Sequence, residues 1–208
     1  KKSFPEEKEM SMDHILIVNT GEHSILTLRE FVWPIQRALH YPSTVVPLSK
    51  LRKKHLKFAR LIIFSGCPLA DFSYEKHVHS LAWLKKESLP LLGICAGQQI
   101  LARLFGAKLS ARKTPLIGLQ PLKSKGTYSF HPDSSSLKAY FLHSKEVPSP
   151  RELFPGAHVC FSTPSCPVAG FVHPSKRILG VAFHPEAGQP ALLRGFVDWA
   201  LSSSNSPQ

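Results

Sequence analysis

No apolar stretch in these 208 residues approaches the length of a membrane-spanning helix, so no helical span is expected. Acidic residues are scarce: 14 Asp and Glu stand against 26 Lys and Arg, a formal net charge of +12. Methionine is scarcer still, with both copies, Met10 and Met12, in a charged N-terminal dozen that lacks the apolar middle of a secretory signal. The folded domain is therefore expected over residues 13–201, with 1–12 and 202–208 as tails. Cysteine occurs four times, at 67, 95, 160 and 166, without the paired spacing of a zinc site or the density of a disulfide framework. That usage fits free thiols in a reducing, cytoplasmic setting, and no metal or organic cofactor is expected. There is no zinc finger, RNA-binding aromatic signature or long basic helix, so nucleic acid is not an expected partner. The positive charge is dispersed apart from one cluster at residues 50–57, which reads as a solvated surface or a face for an acidic partner.

What is present alternates. Residues 14–18, 44–48, 61–64 and 91–94 are short apolar runs that read as buried strands. Helical spacing is expected at 26–39, with Pro34 as a kink, then at 74–86 and 96–105. Buried strands alternating with helices imply an α/β fold of three layers, a mostly parallel central sheet flanked by helices. After residue 107 the pattern changes to short β-like pieces at 116–122, 139–142, 159–162, 168–172 and 178–183. A polar stretch at 124–136 reads as a hairpin and loop, and 190–201 as a C-terminal helix. The second half therefore adds antiparallel strands to the sheet.

The chemistry gathers at expected carboxyl ends of strands, where open parallel sheets bind ligands. Gly93-Ile94-Cys95-Ala96-Gly97-Gln98-Gln99 reads as strand, sharp turn and helix with a cysteine at the turn. A helix N-terminus favours thiolate, which makes Cys95 the candidate nucleophile. His184 ends the 178–183 run and should face the same rim as a base. Glu186, two residues on, would lie on the same side of an extended chain and orient the imidazole. Ser65-Gly66-Cys67-Pro68 closes the third strand, where the backbone around Gly66 and Cys67, with the N–H of Ala96, can serve a developing oxyanion. Taken singly, His184-Pro185-Glu186 reads equally well as an exposed turn and Ser65–Pro68 as a plain tight turn. Cys67, followed by proline, is read as an incidental thiol.

Over about residues 14–200 the chain resembles class I, triad-type glutamine amidotransferases. The elbow Gly-x-Cys-x-Gly-x-Gln is met by Gly93, Cys95, Gly97 and Gln99, and the late His-Pro-Glu by His184, Pro185 and Glu186. The oxyanion turn Ser-Gly-Gly-Pro is met by Ser65, Gly66 and Pro68, with Cys67 in place of the second glycine. Within the family the chain looks most like the amidotransferase subunit of GMP synthetase. Phe141-Leu142-His143-Ser144-Lys145-Glu146-Val147 aligns with that group's His-x-Asp-x-Val segment, with lysine at 145 in place of the acid.

The resemblance implies a flavodoxin-like fold and glutamine as substrate. It also implies a triad of Cys95, His184 and Glu186, an oxyanion site at Gly66, Cys67 and Ala96, and substrate contacts from Gln99, His143, Ser144 and Lys145. No phosphate loop or ATP-pyrophosphatase region accompanies the domain, so ammonia is expected to pass to a separate synthase. A γ-glutamyl or peptide hydrolase, and a non-catalytic regulatory relative, are the alternatives.

Overall fold

The computed structural model describes residues 14–21, 24–126, 128, 130 and 137–202. Residues 1–13, 22–23, 127, 129, 131–136 and 203–208 lie outside the described residues, and with them the expected N-terminal tail and most of the expected hairpin and loop at 124–136.

Five parallel strands form the platform: β1 (His14–Asn19), β2 (Ser43–Pro47), β3 (Ala59–Phe64), β4 (Leu91–Ile94) and β10 (Ile178–Val181). Between β4 and β10 in sequence lie β5 (Ser110–Pro121), β6 (Lys123–Ser124), β7 (Lys138–Glu146), β8 (His158–Ser162) and β9 (Gly170–Val172). The sheet order is β2-β1-β3-β4-β10-β9-β8-β6, with β9, β8 and β6 added antiparallel, while β5 and β7 pair as a separate two-stranded unit. The fold is thus the mostly parallel, helix-flanked α/β sheet expected, with its antiparallel extension in the second half.

Alternation along each central strand divides the core. Ile15, Ile17, Leu61, Ile63, Leu92 and Ile94 face one layer, with Val32, Ile35, Leu193 and Phe196 from the helices beneath. Leu16, Val18, Ile62, Phe64 and Leu91 face the other, with Leu81, Leu84, Ile100 and Leu101. Period-2 burial on both faces is why these strands read as unbroken apolar runs.

Several expected elements differ in form. The helix over 26–39 is broken into α1 (Ile25–Thr27), a π-helical turn (Leu28–Val32) and α2 (Trp33–Ala38). Pro34 is not the cause. It sits in the first turn of α2, where its missing N–H costs nothing, and the break is the wide turn closed by the Trp33 N–H on Leu28 O. The 74–86 helix is instead two 3-10 stretches, Ser73–His77 and His79–Lys86. The 116–122 and 139–142 strands are longer than expected, because they pair with each other rather than ending at the main sheet. The 168–172 and 178–183 strands are shorter. Among the described residues no helix is long and apolar enough to cross a membrane.

Candidate active site

Helix α3 (Ala96–Leu104) starts directly after β4, and Cys95 is the hinge residue, with φ 51° and ψ −105°. It is the only non-glycine residue with positive φ among those described. Such a backbone is held only by its surroundings. Here the Cys95 N–H donates to Val181 O at 2.8 Å, and the Gly97 N–H to Ser65 O at 3.2 Å. Glycine is required on either side. A Cβ on Gly93 would lie 2.4 Å from Gly97 O, and one on Gly97 would lie 2.3 Å from Phe64 O. The elbow therefore presses its backbone onto β3 and β4, leaving a buried thiol whose Sγ lies 3.4 Å from Leu142 O.

His184 follows β10, its N–H donating to Tyr140 O at 2.8 Å. Its Nδ1 is 2.8 Å from Glu186 Oε1, and both side chains are buried. An extended strand was the expected route by which this carboxylate reaches the imidazole. The contact is made instead across a 3-10 turn (Pro185–Ala187), which His184 enters with φ −106° and ψ 88°. Burial works against the imidazolium, but the Glu186 carboxylate and then Cys95 outweigh it and raise His184 well above the ordinary histidine value. With Nδ1 engaged, Nε2 is the remaining reactive nitrogen, and it is buried without a hydrogen-bond partner.

The Ser65-Gly66-Cys67 turn meets this pair. A Cβ on Gly66 would fall 2.5 Å from His184 Cε1, so only glycine lets the turn approach the ring. Thr20 Oγ1 lies 2.9 Å from Ser65 O and 3.0 Å from Gly66 O, and Ser65 Oγ donates to Gly66 O at 2.8 Å. With the Gly66 carbonyl turned to Thr20, the N–H of Cys67 points the opposite way across the trans peptide. Cys67 itself has no left-handed backbone, so it occupies the glycine position of the turn without strain there. Its Sγ donates to Asp71 O at 3.2 Å, and burial first, then Cys95 and Asp71, push its thiol far above the usual range.

Gln99 is placed by partners that sequence spacing does not reveal. Tyr74 donates its hydroxyl to Gln99 Oε1, and Gln99 Nε2 donates to Lys145 O at 2.8 Å. Ser144 Oγ donates to Leu69 O at 3.3 Å. These residues close a cavity of about 10 Å³ lined by Cys67, Phe72, Tyr74, Cys95, Gln99 and Lys145, among others. His143 also lines the cavity, and its buried ring has Nδ1 3.2 Å from Ala182 O. Thr20, read only as part of the turn after the first strand, and Tyr74 are supporting residues to which the sequence reading gave no role in the site.

The donors of His143, Glu146 and Cys166 lie within 4.8 Å of one another, a spacing a metal ion would fit. Arg112 already supplies the positive charge, pairing with Glu146 and donating to Ser165 O at 2.9 Å. Burial opposes the ionised carboxyl, but His143, whose Nε2 lies 3.8 Å away, and the paired Arg112 hold Glu146 below the usual carboxylate range. Burial pushes the Cys166 thiol up to about 12, which leaves it a poor thiolate ligand.

Residues 31–192 match the family described as Glutamine amidotransferase class-I. The chain is 29% identical over 160 residues to a GMP synthase (glutamine-hydrolyzing) subunit of Thermococcus kodakarensis, covering 74% of this chain and 81% of that protein. It is 29% identical over 169 residues to GMP synthase of Legionella pneumophila (strain Lens), covering 73% of this chain but 31% of that longer protein. The chain thus spans about a third of the full-length synthases it matches. A crystal structure of a protein described as a GMP synthase subunit from Thermoplasma acidophilum superposes with a TM-score of 0.78 at 24% identity, over 90% of this chain and 93% of that one, and shares its fold. On the match over residues 31–192, the chain belongs to the class-I glutamine amidotransferase family and within it is similar to the separate GMP synthase subunits.

Proposed function

We propose that this chain hydrolyses the side-chain amide of glutamine at Cys95 and delivers the ammonia to a separate synthase. The observation that carries the reading is the 2.8 Å contact of His184 Nδ1 with Glu186 Oε1 beside a strained, buried cysteine elbow. Glu186 accepts from Nδ1–H, which leaves Nε2 as the base. His184 takes the Cys95 thiol proton as sulfur attacks the amide carbon. The negative charge on the former carbonyl oxygen is met by the N–H groups of Cys67 and Ala96, the latter free because it opens a helix. The C–N bond breaks as His184 returns its proton to the departing nitrogen, giving ammonia and a γ-glutamyl thioester. Water, deprotonated by the same imidazole, attacks the thioester; glutamate leaves, and the thiol is restored.

Gln99, His143, Ser144 and Lys145 line the cavity beside the sulfur, and Gln99 with the backbone of the other three would hold the amino-acid end of the substrate. The separate synthase is proposed from the relatives. The GMP synthase subunit of Thermococcus kodakarensis matches over most of its length, while the longer synthases match over about a third of theirs. A turnover assay comparing glutamine with γ-glutamyl peptides tests the substrate. Glutamine should be the faster, and a clear preference for the peptides would replace this reading with a γ-glutamyl hydrolase.

A further inference from the structure

His184 is the base of the proposed reaction, and the chain leaves the main sheet before it reaches that ring. β10 ends at Val181, and residues 182–184 run on along β7, with an antiparallel bridge between Phe141 and Phe183. Main-chain bonds fix both ends of this run. Val181 O accepts from the Cys95 N–H at 2.8 Å, the Ala182 N–H donates to Ala169 O at 2.8 Å, and the His184 N–H donates to Tyr140 O at 2.8 Å. A side chain reaches its middle: His143 Nδ1 lies 3.2 Å from Ala182 O. A carbonyl oxygen only accepts, so Nδ1 carries a proton and donates.

The His143 ring is itself held in place. It is 2% exposed and meets the Phe141 ring edge-on, with centroids 5.7 Å apart. Nε2 is buried without a hydrogen-bond partner, and its 3.8 Å separation from Glu146 Oε2 is beyond hydrogen-bond length. That carboxylate is pinned in turn by Arg112, which also donates to Ser165 O at 2.9 Å. Of the two ring nitrogens, Nδ1 alone is bonded, and its partner stands two residues before His184.

The position of His184 leaves little slack. A Cβ on Gly66 would fall 2.5 Å from its Cε1, and the Phe31 ring lies 5.8 Å away, centroid to centroid. On the other side of the same strand residue, Leu142 O lies 3.4 Å from Cys95 Sγ. β7 therefore spans the nucleophile and the chain leading to the base, and the His143 ring ties the two together. Proton transfer between sulfur and imidazole is steep in their separation.

We propose that the His143 imidazole is a positioning residue for the base: by donating from Nδ1 to Ala182 O it sets the path of the chain into His184, and with it the placement of His184 Nε2 against Cys95 Sγ. The ring acts through the main chain of Ala182. The inference rests on Cys95 and His184 as nucleophile and base, and it gives the His143 side chain a role separate from the glutamine seat.

The experiment compares wild type with His143→Asn, His143→Gln and His143→Leu. The amide nitrogen of asparagine can stand where Nδ1 stands, and that of glutamine where Nε2 stands, while leucine supplies neither donor. In His143→Gln and His143→Leu kcat should fall about 10- to 100-fold with KM little changed, and His143→Asn should recover most of that loss. The rate at which iodoacetamide alkylates Cys95 across pH reads the sulfur–imidazole pair without turnover. Its midpoint should move to higher pH in His143→Gln and His143→Leu, because a misplaced imidazolium stabilises the thiolate less, and should return in His143→Asn. Thermal midpoints show which variants are folded, and the Asn and Gln pair carries the test if His143→Leu is not. Equal kcat in folded His143→Asn and His143→Gln overturns the inference, as does a rise in KM with kcat unchanged. A midpoint that shifts and is rescued by asparagine, without any hydrolysis of glutamine, would sink the glutaminase reading alone. Glutamine hydrolysis with the same midpoint in every folded variant would sink the role of His143 alone.

Discussion

His184 and Glu186 are joined across a single tight turn, Nδ1 to Oε1 at 2.8 Å, in a site where both side chains are buried. The carboxylate and the nearby cysteine raise the proton affinity of the ring against the opposing effect of burial. Glu186→Gln keeps the shape and removes the charge. Turnover should fall by ~10²- to 10⁴-fold, as loss of an orienting carboxylate does in related triads. The limb of the pH–rate profile governed by His184 should move to lower pH.

The same contact bears on stability, and its sign follows from the raised value. A histidine held above its unfolded value contributes stability in full below about pH 6.5. That contribution is lost as pH rises through the raised folded value. The thermal midpoint of wild type should therefore exceed that of Glu186→Gln by more near pH 6 than in alkaline buffer. An equal difference at both would mean that the pair carries no extra proton on folding.

Gly66 and Gly97 should respond differently to alanine. At Gly97 the added Cβ meets the fixed carbonyl of Phe64 in a central strand, so Gly97→Ala should cost ~3 kcal/mol or more and lower the melting midpoint. At Gly66 it meets side chains rather than main chain, the His184 ring and, at 3.2 Å, Phe31. Gly66→Ala should stay folded and lose activity by ~100-fold, because the ring leaves its catalytic orientation.

Tyr74→Phe removes one hydroxyl and leaves Gln99 Oε1 without that donor. If Gln99 and the Lys145 carbonyl form the substrate's seat, KM for glutamine should rise ~10-fold with kcat little changed. Steady-state kinetics would show a matched fall in kcat instead if Tyr74 served only the fold.

The two buried thiols that line the site should separate by reactivity. A glutamine-like electrophile should label Cys95, and Cys67→Ser should leave that labelling intact. Peptide mapping that finds the label on Cys67 would reverse the assignment of the nucleophile.

The parts of the site that were legible in the sequence are those carried by short, contiguous segments. Glycine at 93 and 97 marks the elbow because two backbones touch there, and only glycine satisfies that contact. The runs at 61–64 and 91–94 read as strands because both of their faces are covered. What was not legible depends on distant chain. Tyr74, Gln99 and Lys145 meet from three separate elements, and no local period encodes their hydrogen bonds. Thr20 serves Ser65 and Gly66 from 45 and 46 residues away. The Glu186 contact was anticipated, but through an extended geometry, since the proline turn that makes it does not announce its dihedrals. The broken helix near Pro34 misled for a related reason: proline marks a first turn as readily as a kink, and the wide turn before it has no residue signature.

The most direct test measures glutamate and ammonia released from L-glutamine by wild type and by Cys95→Ala, each with and without a synthase partner recovered from the source cell. Equal molar release by wild type, alone or on adding the partner, and none by Cys95→Ala is the expected result. Hydrolysis that persists in Cys95→Ala would contradict the assignment of the elbow cysteine as the nucleophile.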